Sequence, residues 1–248
     1  MRNVWTIARR EYKHYFISPI AYVVALMVFL TVGILFVLNV SQAAYQAMYY
    51  GSPPPDIRII VGPMVFLFLL ASPALTMRLL ADEQRMGTLE LLLTAPVQDW
   101  ELVVGKWLGA FLFLLSVIAL TLIFPIVLNR LVNPGIDQGM MIAGYLGVIL
   151  VAAAFLSIGT AISSFFSNQF AAFFATLVVY LLLWWVLGWP AQVLPTGGDV
   201  FRYLDMSAHF YDTMTNGIIA LSDIVYYLSL TSLGLFLGTI AVEIRRWQ

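Results

Sequence analysis

The chain contains no cysteine and very little charge. The absence of cysteine from all 248 residues excludes disulfides, thiolate metal sites and cysteine nucleophiles. Only 10% of the residues are charged, against about a quarter in an average soluble domain. The net charge of −1 provides no basic field that would attract nucleic acid. Hydrophobic residues make up 62% of the chain, and this composition indicates a membrane protein.

Six apolar stretches are long enough to cross a membrane, since about 20 residues of helix span the roughly 30 Å of hydrocarbon. The predicted spans are 19–40, 59–80, 102–128, 140–165, 170–189 and 223–242. Only Ser167-Asn168-Gln169 separates the fourth from the fifth, which predicts a tight helical hairpin. The first stretch exceeds the apolar core of a signal peptide, so we expect it to stay attached, although Ser41-Gln42-Ala43 would suit cleavage. The sequence therefore predicts an all-α integral membrane protein, with one transmembrane domain over 1–248.

The distribution of lysine and arginine predicts the orientation. With the N-terminus inside, the inner segments carry Arg2, Arg9, Arg10, Lys13, Arg78, Arg85, Lys106, Arg245 and Arg246. The outer segments carry Arg58, Arg130 and Arg202. We therefore expect both termini in the cytoplasm and the chain in the plasma (inner) membrane.

The residues before the first span form an amphipathic helix pattern. One face is apolar and aromatic, with Val4, Trp5, Ala8, Tyr12, Tyr15 and Phe16. The opposite side is basic, with Arg2, Arg9, Arg10 and Lys13, while Glu11 interrupts the edge of the apolar face. This pattern predicts an elbow helix over 1–17 that lies in the lipid headgroup layer, with membrane lipid as its partner. The predicted membrane-surface residues are Trp5, Arg9, Arg10, Tyr12 and Lys13. The alternative is a basic tail that only sets the orientation.

Ser18 is predicted to cap the next helix and Pro19 to begin it.

The inner segment 81–101, which contains the predicted coupling loop 82–98, combines acidic residues with leucines. The acidic cluster comprises Asp82, Glu83, Glu90, Asp99 and Glu101. Gly87 is predicted to end one helix, Thr88 to cap a short new one, Pro96 to end that one, and Asp99 to cap the third span. Leucines at 89 and 91–93 give this short helix more apolar surface than a solvated loop needs. They pack against the inner ends of the spans, fill a groove on a cytoplasmic protein, or do both.

Three motifs resemble one family. The stretch Glu83-x-Arg85-x-Gly87-Thr88-Leu89-Glu90-x-Leu92-Leu93-Thr94-x-Pro96, followed by Gly105-Lys106, is similar to the intracellular loop of ABC-2 type transporter permeases. The opening Arg10-Glu11-Tyr12-Lys13-x-Tyr15-Phe16-x-Ser18-Pro19 resembles the N-terminus of the same family. So do Ser207-x-His209-Phe210, Gly217 and Asp223-x-x-Tyr226. The likeness is strongest to permeases tied to gliding motility and to nitrous-oxide-reductase maturation.

The resemblance implies a six-helix half-transporter of an exporter. It would pair with a second permease copy, as a homodimer or a heterodimer, and dock on a nucleotide-binding ATPase subunit through the loop after the second span. The residues implied in ATPase coupling are Glu83, Arg85, Gly87, Thr88, Leu89, Glu90, Leu93 and Pro96. The segment 190–218 resembles the outer, partly re-entrant helices that precede the family's last span.

The energy source must lie elsewhere if ATP drives the protein. Gly105-Lys106 is followed by Trp107 instead of serine or threonine, and Trp100 stands where the first glycine of a phosphate loop would be. We therefore expect no cofactor in this chain, no catalysis by it, and ATP with Mg on the partner ATPase. Ion coupling would need ionisable groups at membrane depth, and the interiors of the predicted spans have none.

Functions of other classes remain open. Asp205, His209 and Asp212 are spaced i, i+4 and i+7, so a single helical face would gather them as a metal site or an acid–base pair of an intramembrane enzyme. A membrane assembly or force-transmitting subunit without cargo is a further alternative. A passive channel is disfavoured because no span carries a continuous polar stripe.

Glycine pairs predict where helices approach closely. Gly105-x-x-x-Gly109 lies in the third span and Gly234-x-x-x-Gly238 in the sixth. Ala153, Ser157, Thr160 and Ser164 form a stripe of small residues along the fourth.

Overall fold

The computed structural model describes residues 2–51, 53–87, 97–194 and 197–246, and the regular elements of these residues are all helical. The α-helices in chain order are α1 (Arg2–Tyr15), α2 (Pro19–Tyr50), α3 (Arg58–Thr76), α4 (Ala81–Arg85), α5 (Asp99–Thr121), α6 (Ile123–Leu131), α7 (Gln138–Phe165), α8 (Gln169–Leu181), α9 (Gly188–Val193), α10 (Gly198–Leu204), α11 (Met206–Ala208) and α12 (Leu221–Arg246). Short π-helices cover Leu182–Val186 and His209–Thr213, and a 3-10 turn covers Met214–Asn216.

Six helical stretches are long and apolar enough to cross a membrane, as the sequence predicts. The first to sixth spans are Pro19–Tyr50, Arg58–Arg85, Asp99–Leu131, Gln138–Phe165, Gln169–Ala191 and Leu221–Arg245. Several exceed the predicted apolar runs because helix continues into the polar residues that flank each run. The first span shows this most clearly, since α2 ends only at Tyr50, where Gly51 adopts a left-handed φ of 64°.

The fourth span lies at the centre of the bundle and packs against the second, third, fifth and sixth spans. Its small residues allow this, because a Cβ added to Gly234 of the sixth span would stand 2.8 Å from the backbone carbon of Ser157. A Cβ on Gly238 would lie 3.4 Å from Cα of Ala161. The close approach predicted from the glycine pair of the sixth span and the small residues of the fourth is therefore confirmed.

The glycine pair of the third span packs against a helix that is not one of the six spans. Gly105 and Gly109 face α1, and a Cβ on Gly109 would stand 2.9 Å from the backbone oxygen of Ala8. Ala8 is fully buried at this crossing. The prediction of close packing holds, but the neighbour is α1 and not another span. The N-terminal helix is thereby seated directly on the third span.

Two predicted helix caps differ in detail. Gln98, not Asp99, occupies the cap position of α5, and it forms a capping box with Glu101. Ser18 precedes α2 without making a side-chain cap, and its hydroxyl accepts a hydrogen bond from Arg78 at 3.3 Å instead. Pro19 begins α2 as predicted. Gly87, with φ of 67°, follows the end of α4, which confirms the predicted helix break.

The short helices between the fifth and sixth spans close one end of the bundle. Arg58 at the start of the second span donates hydrogen bonds to the backbone oxygen of Thr215 and to the side chain of Asn216. Gly217 packs closely on Met140 near the start of the fourth span. We call residues 198–217 the outer segment, because the predicted orientation places this end outside.

Candidate functional site

A buried cluster of three charges joins α1, α4 and the third span at the opposite end of the bundle. Lys106 lies two turns into the third span, and its side chain is 3% exposed. Its ammonium nitrogen is 2.8 Å from the carboxylate of Glu83 and 3.3 Å from that of Glu11. We call these three residues the charged cluster. It connects positions that are far apart in sequence and joins α4 to both α1 and the third span.

The electrostatics of the cluster favour an ionised Glu11. Burial raises the pKa of Glu11, but the charges of Lys106 and Arg10 and their hydrogen bonds together outweigh it, so the pKa lies below its ordinary value. Arg10 donates a hydrogen bond to Glu11 at 3.2 Å from the more exposed side. The N-terminal helix is therefore held to the third span by charge as well as by the glycine contact.

A cavity of about 640 Å³ opens beside the charged cluster. Arg10, Arg78, Asp82 and Arg85 add further charges to its lining, which also includes His14. Asp82 accepts a hydrogen bond from Arg78 at 3.3 Å, one helical turn away. The cavity thus presents both signs of charge at the end of the bundle where α1, the second span and α4 meet.

The short helix α4 is also tied to the fourth and fifth spans. The hydroxyl of Ser163 accepts hydrogen bonds from the backbone of Leu80 and Ala81, at 3.2 and 3.1 Å. Gln84 donates to the backbone oxygen of Ser164 at 2.7 Å. Gln169, at the start of the fifth span, donates to Asp82. Residues 80–84 are therefore bound to the third, fourth and fifth spans. These residues lead into the segment that follows Gly87.

The structure describes three of the eight predicted coupling residues, and these three do not point the same way. Glu83 turns inward to Lys106, whereas Arg85 and Gly87 are exposed. Thr88, Leu89, Glu90, Leu93 and Pro96 lie outside the described residues. The assignment of all eight to ATPase coupling stays a prediction.

Four of the predicted membrane-surface residues, Trp5, Arg9, Tyr12 and Lys13, line one side of α1, whereas Arg10 lines the cavity beside the charged cluster. The prediction that the aromatic and basic residues occupy opposite faces of this helix is therefore wrong for these four. Trp5, Arg9, Arg10 and Lys13 are exposed, and Tyr12 is partly buried. The hydroxyl of Tyr12 lies 3.0 Å from that of Ser116 on the third span. Their contact with lipid stays a prediction.

A second polar cluster joins the outer segment to the sixth span. His209 is nearly buried, with its Nδ1 at 2.8 Å from a carboxylate oxygen of Asp223 and its Nε2 at 2.8 Å from the backbone oxygen of Tyr203. The other oxygen of Asp223 accepts from the hydroxyl of Thr213 at 2.6 Å. The ring of Tyr226 stacks on His209 with centroids 4.0 Å apart. This arrangement accounts structurally for the Ser-x-His-Phe and Asp-x-x-Tyr motifs, which meet here.

The same geometry argues against a metal site formed by Asp205, His209 and Asp212. The three do not share one continuous α-helix, because α11 ends at Ala208 and a π-helix follows. Asp205 caps α11 through the backbone of Ser207, and Asp212 pairs with Arg202. Within the described part of the chain, no group of three or more histidine and carboxylate side chains is arranged to hold a metal ion.

Comparison with known families identifies the relationship. Residues 31–244 match the family described as ABC-2 family transporter protein. The chain belongs to this family. It is therefore a permease component of an ABC transporter and a multi-pass membrane protein. A search of curated proteins finds no match to this permease.

The sequence alone did not reveal the charged cluster of the permease. From the sequence, Glu11 is only a break in an apolar face, and Lys106 is only part of a Gly-Lys pair near a span end. The sequence signal for this cluster is the type and position of its residues. Two carboxylates and one lysine lie next to apolar helices, at ends that are all predicted to be on the same side of the membrane. Nothing in their spacing indicates contact, because 95 residues separate Glu11 from Lys106.

Proposed function

We propose that this permease is the transmembrane subunit of an ATP-driven exporter, moved by a separate cytoplasmic ATPase that docks on the segment 82–98. The observation that carries the proposal is the charged cluster. Glu83 lies at the start of the docking segment and is bound through Lys106 to Glu11 and the third span. A push that moves Glu83 would therefore act on α1 and the third span through Lys106.

The position of buried charge supports an external source of energy. Among the described residues of the spans, the buried charged side chains are Glu101, Lys106 and Asp223, and Glu83 of the charged cluster is partly buried. All four lie within about two turns of a span end. An ion-coupled transporter needs ionisable groups nearer the middle of the membrane. ATP and Mg would accordingly bind to the partner ATPase.

The remaining parts of the proposal follow from family membership and from the distribution of positive charge. Two permeases, identical or different, would form the translocation path between them. Both termini would face the cytoplasm in the plasma (inner) membrane, since nine of the twelve lysines and arginines fall on that side. The motifs favour the permeases of gliding motility and nitrous-oxide-reductase maturation as functional relatives.

The test is a charge reversal in the docking segment. The permease is co-purified with its nucleotide-binding subunit, reconstituted in vesicles, and assayed for ATP hydrolysis with and without the permease. We expect Glu90→Lys to abolish the permease-dependent part of the hydrolysis, because it reverses an acidic charge of the proposed docking segment. Glu243→Lys, an exposed residue at the same predicted end, should leave hydrolysis unchanged. Unaltered hydrolysis in the Glu90→Lys complex, or failure of any ATPase to co-purify, would overturn the proposal.

A further inference from the structure

A second groove lies beside α1, along a different face from the charged cluster. It has a volume of about 540 Å³ and runs between α1 and the third span. The α1 side is formed by Trp5, Arg9, Tyr12 and Lys13, which recur at helical spacing and so share one face. The groove is therefore built from two helices that the glycine contact fixes in place.

The floor of the groove is apolar and its polar atoms are already satisfied. Leu112, Leu115 and Ala119 of the third span form most of it. The hydroxyls of Tyr12 and Ser116 lie 3.0 Å apart and bond to each other. Because they need no further partner, the floor presents hydrocarbon to whatever enters.

The mouth of the groove carries two cations. Arg9 and Lys13 are exposed and one helical turn apart. Neither has a carboxylate within ion-pair distance in the part of the chain that the structure describes. The nearest acid on the same helix, Glu11, is engaged by Lys106 and Arg10. Trp5 is 57% exposed at the same mouth, as expected of a ring at a membrane interface.

We propose that this groove binds one anionic phospholipid, whose phosphate contacts Arg9 and Lys13 and whose acyl chain covers Leu112, Leu115 and Ala119. Charge complementarity selects this occupant, because two neighbouring cations without an acidic partner match a headgroup phosphate. A soluble anion would leave the apolar floor uncovered, and a zwitterionic lipid would bring its own cation to the site. The bound lipid would wedge α1 against the third span. This site is independent of any ATPase, so its test does not depend on the exporter proposal.

The experiment is native mass spectrometry of the full chain in detergent, titrated with phosphatidylglycerol or with phosphatidylcholine of the same acyl chains. One phosphatidylglycerol should be retained in preference to phosphatidylcholine. Arg9→Gln/Lys13→Gln should weaken phosphatidylglycerol binding by about tenfold or more, since each basic residue near an anionic headgroup contributes to affinity. Arg2→Gln/Arg85→Gln removes the same charge from exposed positions outside the groove and should leave binding unchanged.

A second pair of variants separates a defined site from general attraction. Ala119→Trp fills the groove without altering charge and should reduce binding of phosphatidylglycerol. Leu120→Trp adds a ring at the neighbouring residue, which is exposed and does not line the groove, and should not reduce it. Equal loss in the two double variants, equal retention of both lipids, or unchanged binding in Ala119→Trp would overturn the proposal.

Discussion

Lys106 is buried with a carboxylate on either side, so the stability of each charge depends on the other two. Removal of one member of a buried pair leaves an uncompensated charge, which costs about 3–5 kcal/mol. We expect Lys106→Met to lower the free energy of unfolding by about this amount, measured by denaturant unfolding in detergent. Lys13→Met is the control, since Lys13 is exposed and has no ion pair among the described residues.

The same account predicts a rescue. Lys106→Met combined with Glu11→Gln and Glu83→Gln removes all the charges of the cluster and should recover most of the lost stability. If this triple variant is as unstable as Lys106→Met alone, the lost stability does not come from uncompensated charge.

Gly109 is required by the close approach of α1. A Cβ at this position would stand 2.6 Å from Cβ of Glu11 and 2.9 Å from the backbone oxygen of Ala8. We expect Gly109→Ala to lower the free energy of unfolding by about 1–3 kcal/mol through overpacking, and to expose α1 to protease. Gly62→Ala is the matched control, because its Cβ would meet only a ring atom of Tyr211 at 3.9 Å. It should be neutral or stabilising by up to about 1 kcal/mol, from improved helix propensity. Equal effects in both would contradict the packing account.

At the scale of elements, the outer segment is attached to the sixth span through Asp223. Its carboxylate binds both His209 and Thr213, which lie in consecutive turns of the outer segment. We expect Asp223→Ala to increase hydrogen exchange of backbone amides around His209 and Thr213, because these two residues lose their polar contact with the sixth span. Asp199→Ala removes an exposed carboxylate from the same segment and should leave exchange unchanged. Unchanged exchange in Asp223→Ala would show that the other contacts of the segment, among them the hydrogen bonds from Tyr226 and Tyr227, are enough to hold it.

The sequence predicts the helices themselves better than it predicts which helices pack against each other. Apolar runs predicted all six spans, because the thickness of the membrane imposes a length that composition reveals. A glycine pair predicts that some helix approaches closely, but its own sequence carries nothing about which one. Gly109 thus packs against α1, while Gly234 packs against the fourth span. Contacts such as Glu11 with Lys106 depend on the arrangement of whole helices, and local periodicity contains no information on that arrangement.

Over the whole molecule, one end of the bundle gathers the features that bear on transport. The charged cluster and α1 meet there at the described start of the proposed docking segment, and α4 is bound to the third, fourth and fifth spans. The other end is closed by the outer segment, bound to Arg58 and packed on Met140. An ATPase that acts at the first end would therefore be connected to most of the spans through a few contacts.

The most direct test of that claim uses the natural absence of cysteine. A single cysteine is introduced as Arg85→Cys or as Arg130→Cys, both exposed but at opposite ends, and each is labelled with a photoreactive maleimide in the complex with its ATPase. Position 85 should form a cross-link to the ATPase whose yield changes with ATP, and position 130 should form none. Cross-links of equal yield from both positions, or none from position 85 while the ATPase stays bound, would contradict docking at this end.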